Sequence, residues 1–432
     1  MKLDTTGAGP RPRYWTTLAA AMLAAACLEG ENPADTVGSA EPGTDIGTHV
    51  GTDIGTDAGA DPAHLRAGPP RVRLGSRTGE GHTDFYDIAG VVVDRSADAL
   101  IVANRGDATL RAFTLDGEWR STQGGVGSGP RELEELTALF EYRGDSLAAY
   151  DGERGEVSIW PYAGGDVRRV PVPTPSGDTL RTPGFHGSTV DGRLVWSVSR
   201  LDRIVDEIGE SHPRRLVIFL TSPEGAGFDP IAETTGERFF QYGGDTYISG
   251  RIPFSPRAFV LPRDSDILYG STERPRAERV ADTGVSLAPI AFSVTAAPVT
   301  AAHRETALAG IRARLDRPLP TSLRTLIATT LDVWAFPDSF PVLGDVVAGE
   351  DGRVWVTGSR PPEADPTRAA VETTVWRVYA GPGSPGRDIE FPGDFRLLWA
   401  DETEAVGVVR DELDIEHVLV LPLPSVAGPM DS

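Results

Sequence analysis

Cysteine, lysine and asparagine are almost missing from this 432-residue chain, and each shortage closes off a chemistry. Cys27 is the only cysteine, so what folds after it has no disulfide framework, no cysteine metal site and no thiol chemistry. Core burial must stabilise the domain instead. Lys2 is the only lysine, which leaves arginine as the cation of the chain and reflects a GC-rich genome more than a function. Asparagine occurs only at Asn32 and Asn104, too few for an asparagine-rich calcium cage. Positive charge is in deficit: the formal net charge is −22, which opposes attraction to nucleic acid and to anionic membranes. The chain contains no G-x-S-x-G elbow, no His-Glu-x-x-His and no Walker loop.

What is present begins with an address. Lys2, Arg11 and Arg13 precede an apolar stretch from about Tyr14 to Ala26, and Ala24, Ala25 and Ala26 stand before Cys27. A basic start, an apolar middle and small residues at the end make residues 1–26 a secretory signal peptide. The run falls short of the roughly 20 apolar residues that span a bilayer. The segment resembles the bacterial lipobox, with Leu23 one place earlier than that pattern sets it. The resemblance implies a lipidated Cys27 and an envelope lipoprotein of the outer membrane or periplasm. Ordinary cleavage after Ala-x-Ala would release the chain as a secreted protein. Removal of residues 1–26 takes away three basic residues and one acidic residue, so the charge becomes −24.

Residues 27–68 read as a disordered tether. Gly43 to Gly59 is a Gly-Thr-Asp repeat without aromatics, too poor in apolar surface to offset chain entropy. Its aspartates, Asp45, Asp53, Asp57 and Asp61, lack the spacing of an EF-hand loop, so a solvated spacer is expected.

From residue 69 to 426 short apolar strands are punctuated by Gly, Pro and Asp. Paired strands flank a polar turn around Val91–Val102, Leu139–Tyr150, Val190–Trp196, Phe259–Tyr269, Val346–Val356 and Leu397–Val409. Third strands follow, as at Leu110–Phe113, Val157–Trp160, Leu216–Phe219, Val375–Tyr379 and His417–Val420, and polar outer strands at Val167–Val170 and Asp388–Phe391. The units start 48, 51, 69, 87 and 51 residues apart. Four-stranded units at such spacing predict an all-β, six-bladed β-propeller. The sixth unit ends after its third strand, so the early strand Arg71–Leu74 is expected to supply the missing outer position and close the ring. The widest gap, about 298–335, carries Leu308, Ile311 and Leu315, then Leu323, Leu326, Ile327, Leu331 and Trp334, at helical spacing. Two short helices are expected there, either capping the channel or packed beside the ring. Residues 427–432 form a tail, and a monomer is expected.

Gly144–Asp151, the loop Gly124–Glu132, Phe340–Val356 and Phe395–Val418 resemble the NHL-like six-bladed propeller proteins of bacteria over roughly residues 71–424. The resemblance implies the fold and an exported protein, many of that family being lipoproteins, and no assigned activity.

Candidate chemistry is sparse. Gly381–Gly386 fits G-x-G-x-x-G, but its two prolines and its place between strands make it a turn. Two Arg-Gly-Asp tripeptides, at Arg105 and Arg143, also fall at turns. His82, His186, His212, His303 and His417 are not paired at ligand spacing. Arg105, Arg131, Arg257, Arg360 and Arg410 lie near inner-strand boundaries and form the candidate ligand set. As a ring they would bind a small anionic ligand; otherwise they pair with neighbours such as Asp107, Glu132, Asp411 and Glu412. The reading is a non-catalytic binding module for such a ligand or for an envelope protein, held at the membrane by its lipid. No cofactor or metal is predicted, and calcium lacks support. The alternative is a metal-dependent hydrolase or lyase working in the central channel.

Overall fold

The computed structural model describes residues 65–76, 81–162, 164–173, 183–200, 211–242, 248–315, 336–359 and 373–425, with scattered positions from 321 to 331. The expected signal peptide, Cys27 and the repeat of the tether lie outside the described residues, as does the tail. Within them the chain is a six-bladed β-propeller.

Blade 1 is β3 (Ile88–Asp94), β4 (Ala99–Asn104), β5 (Thr109–Phe113) and β6 (Trp119–Gly124). Blade 2 is β7 (Leu136–Tyr142), β8 (Ser146–Asp151), β9 (Glu156–Pro161) and β10 (Arg168–Pro171). Blade 3 has five strands: β11 (Gly184–Ser188), β12 (Leu194–Arg200), β13 (Ser211–Thr221), β14 (Asp229–Tyr242) and β15 (Ile248–Arg251). Blade 4 is β16 (Ala258–Pro262), β17 (Ile267–Ser271), β18 (Arg276–Val280) and β19 (Ser286–Ala291). Blade 5 is β20 (Leu343–Ala348), β21 (Val354–Gly358), β22 (Thr373–Tyr379) and β23 (Arg387–Pro392), with β1 (Leu65–Arg66) parallel to β23. Blade 6 is β24 (Arg396–Ala400), β25 (Glu404–Arg410) and β26 (Glu416–Pro422), completed by β2 (Val72–Leu74).

The inner strands β3, β7, β11, β16, β20 and β24 touch in that order and β24 returns to β3, so the ring is closed. Second strands such as β4 (ALIVAN) and β8 (SLAAYD) are buried at every position because neighbouring blades cover both faces. One apolar layer fills each interface between blades. Trp196, Trp355 and Trp376 are among the largest fully buried side chains, and truncating one such residue to alanine typically costs about 3–5 kcal/mol.

Closure by the early strand holds: Val72 pairs with Val420 and Leu74 with Val418. Glu416, almost fully buried, adds a latch. Its Oε2 accepts the Ile88 backbone N–H at 2.7 Å, and its Oε1 accepts Arg410 Nη2 at 3.1 Å. The last strand of the ring is thereby joined to the first inner strand.

Three expectations are corrected. Leu65 and Arg66, assigned to the tether by composition, form β1. The inner strand of blade 3 is Gly184–Ser188, not a segment beginning at Val190, which is exposed in the turn that follows. The 69-residue spacing after it holds the long β13–β14 hairpin and the fifth strand β15, which the repeat pattern did not show. In the insertion, α1 (Ala301–Leu315) is a helix whose Leu308 and Ile311 are only half-buried. Of the second expected helix, Thr321, Arg324, Thr325, Ala328 and Leu331 are described and helical. An isolated antiparallel bridge between Pro298 and Ser339 brings the two ends of the insertion together.

Candidate functional site: the central channel

Each inner strand runs from an upper rim, where the preceding blade delivers it, to a lower mouth, where it turns into the second strand. The predicted arginines hold loops and blades at or near the upper rim. Arg105 Nη1 pairs with Asp87 Oδ2 at 3.0 Å, while its Nε and Nη2 donate to the carbonyls of Leu136 (3.1 Å) and Thr137 (3.2 Å), strapping blade 1 to blade 2. Arg257 Nη2 straps blade 4 to blade 5 through Gly344 O (2.9 Å) and Asp345 Oδ1 (2.7 Å). Arg410 pairs with Asp414 at 3.2 Å and with Glu416. Arg131 donates to Gln123 Oε1 (2.7 Å) and Gly165 O (2.5 Å), with its guanidinium 5.7 Å from the centre of the Trp160 ring. Arg360 lies outside the described residues. Among these residues, none of the four described arginines lines the channel, and each has its own partners.

The other sequence candidates resolve in the same way. In the first Arg-Gly-Asp, Asp107 accepts Arg111 Nη2 (2.5 Å), Asn104 Nδ2 (2.7 Å) and Thr109 Oγ1 (2.5 Å). In the second, Arg143 donates to Asp191 O at 2.7 Å. Gly381–Gly386 is a turn, with Ser384 N bonded to Gly381 O at 3.2 Å. His82 stacks on Trp119, His303 lies edge-on to Phe340, and His417 Nε2 meets Asp411 Oδ2 at 2.9 Å. No group of three His, Cys, Asp or Glu side chains among the described residues is placed to hold a metal ion.

The channel is a cavity of about 1000 Å³ lined by all six inner strands and the turns below them. Register shifts break the pairing of the inner strands in blades 1, 2, 3, 5 and 6. A bulge leaves one residue out of the ladder and re-aims its side chain. In blade 3 that residue is His186, which lines the channel with Nε2 2.8 Å from Ser197 Oγ. Enclosure by protein pushes its pKa down to about 4, so the imidazole is neutral at pH 7.

The lower mouth was missed by the sequence reading. Glu141 from β7, Asp264 after β16 and Glu350 after β20 line it, and Asp94 ends β3 at the same level. Burial raises the pKa of Glu141, and the charges of Glu350, Asp94 and Asp264 add to the rise. Burial likewise raises Glu350, and the charges of Asp264, Asp351 and Asp401 add to the effect. Glu350 is itself exposed to solvent, which screens part of that effect. Among the described residues, no cation forms an ion pair with Glu141, Asp264 or Glu350. Arg263 and Arg279, although beside the channel, are committed to the buried Asp266. The Tyr162 hydroxyl is buried near this end and has no hydrogen-bond partner among the described residues. Its pKa is pushed up by burial and then by Glu141 and Asp94.

No protein-family profile matches the chain, and no curated protein sequence does. Solved structures match at low identity. A calcium-binding regucalcin from Agrobacterium tumefaciens is 10% identical, with TM-score 0.40 over 86% of this chain and 99% of that one. Virginiamycin B lyase from Staphylococcus aureus is 11% identical, with TM-score 0.37 over 82% and 99%. A member of the DUF4221 family from Bacteroides vulgatus is 9% identical, with TM-score 0.44 over 84% and 99%. At these values no residue role passes from them to this chain.

Proposed function

We propose that this protein is an exported, lipid-anchored binding module whose central channel takes a small cationic solute. The observation that carries the reading is the lower mouth, where Glu141, Asp264 and Glu350 face a common cavity without a cation partner among the described residues. The carboxyls of Glu141 and Glu350, raised by burial and by neighbouring acids, favour the arrival of positive charge, which lowers their pKa and releases any proton they hold. Neutral His186 higher in the channel adds a hydrogen-bonding group without adding positive charge. The anionic ligand expected from the arginines has less support, because the described ones are occupied between blades or within loops. The address rests on the basic start of the chain, its apolar stretch and the three alanines that precede Cys27.

Isothermal titration with spermidine and with citrate tests the reading. Spermidine is expected to bind with one-to-one stoichiometry at pH 7.5, about tenfold more weakly in Glu350→Gln, and citrate to give no heat. Citrate binding with spermidine silent overturns the proposal, as does spermidine binding that Glu350→Gln leaves unchanged.

A further inference from the structure

Among the described residues, the layer between blades 3 and 4 has the fewest buried apolar residues of the six: Val195, Ile218, Leu220, Val260, Ile267 and Val280. Beyond it β14 comes against β16 and β17, and a cleft of about 510 Å³ opens where β13, β14, β17 and β18 face one another. That size is ordinary for a small-molecule site. Its inner end is closed where β14 approaches blade 4 at Gly236, since a Cβ there would lie 3.1 Å from Ala258 Cβ.

The lining is polar where the other interfaces are apolar. Arg215 pairs with Glu233 across β13 and β14, and Arg276 pairs with Glu278 at 2.5 Å on β18. Arg274, in the loop between β17 and β18, is exposed, and among the described residues its guanidinium has no hydrogen-bond or ion-pair partner. Three arginines against two glutamates leave one net positive charge in a molecule whose formal charge is −22. Thr234, Thr235 and Ser271 add hydroxyls, and Tyr269 adds a half-buried ring.

We propose that this cleft binds a sugar acid, a polyhydroxylated monocarboxylate, by pairing the ligand carboxylate with Arg274. One surplus positive charge suits a monoanion, and a guanidinium fork matches a carboxylate. Glu233 and Glu278 would repel the extra charge of a phosphate, yet they accept hydrogen bonds from hydroxyl groups, as do the threonines. Tyr269 offers a flat apolar surface to the C–H face of a sugar ring. The site is separate from the channel and does not depend on what the channel binds.

The test is isothermal titration of the full mature chain with galacturonate, digalacturonate and galactose. Galacturonate is expected to bind at least tenfold more tightly than galactose, and Arg274→Ala to lose that advantage while keeping the parent melting temperature. Glu350→Gln should leave galacturonate binding unchanged, which separates failure here from failure in the channel. A tenfold preference for digalacturonate over the monomer would identify a polymer end as the source; equal binding would identify the free acid. Equal affinity for galacturonate and galactose, no galacturonate binding at 10 mM, or binding unaffected by Arg274→Ala each overturns the assignment.

Discussion

Asp151, Asp266 and Glu416 are nearly or wholly shielded from solvent, and each is surrounded by donors. Asp151 accepts the backbone N–H groups of Glu134 (2.7 Å), Glu135 (3.1 Å) and Arg154 (3.1 Å). Asp266 receives Arg263 and Arg279. Such carboxylates are costly to strip of partners, because a buried charge without partners cannot recover its hydration. The channel acids differ in kind, being set against one another. A carboxyl with a raised folded-state pKa favours folding below its unfolded value of about 4.3 and loses that contribution as pH rises through the folded value. Glu350→Gln is therefore expected to raise the melting temperature at pH 7.5 by about 1–2 °C, with the gain vanishing near pH 4. Scanning calorimetry at both pH values checks it, and a variant less stable at pH 7.5 would count against mutual repulsion. His186 acts oppositely: with its pKa at about 4, it withdraws stability as pH falls from about 6.5 to 4. Little of this site was legible in the sequence. Arginines beside inner strands looked like a binding ring, yet a long cationic side chain at a blade boundary can also reach the next blade's carbonyls. The acids could have been found by aligning the repeats, since Asp94, Glu141, Asp264 and Glu350 stand at comparable places near inner-strand ends. Each alone resembles an ordinary turn residue.

At the scale of elements, legibility followed burial. Second strands such as ALIVAN announce themselves because both faces are covered and every residue is apolar or small. Inner strands read poorly. GFHGS in blade 3 has two glycines and a bulge at His186, so alternation fails where the channel needs a re-aimed side chain. The insertion is an element of another sort. α1 has no fully buried residue among those described, and the Pro298–Ser339 bridge holds its two stems together without it. Replacing residues 302–334 by a short Gly-Ser linker is expected to leave the sheet circular-dichroism signal intact and to lower the melting temperature by no more than about 3 °C, because closing a loop across adjacent stems costs little entropy. Loss of cooperative unfolding in that variant would show that the helices are part of the core.

At the scale of the whole molecule, stability without disulfides depends on ring closure. The ring closes in blade 6, where the early strand β2 covers the edge of the last strand β26, and Glu416 ties β26 to β3. Beginning the chain at Gly75 removes β1 and β2 and leaves the edge of β26 unpaired. Such a variant is expected to self-associate in size-exclusion chromatography and to unfold at least about 10 °C below the parent, an order-of-magnitude figure for losing two buried strand residues and a ladder. A monomer of unchanged melting temperature would mean that three blade-6 strands suffice.

The parallel pairing of β1 with β23 also gives the ring a front and a back. β23 is the outermost strand contributed by blade 5 itself and rises from the lower mouth toward the upper rim, so β1 rises beside it and Leu65 enters from the carboxyl side. The described chain therefore begins on the side of the acidic opening. The rim bearing α1 looks the other way. A solute entering between Glu141 and Glu350 would thus pass beside the start of β1, on the side of the ring opposite α1.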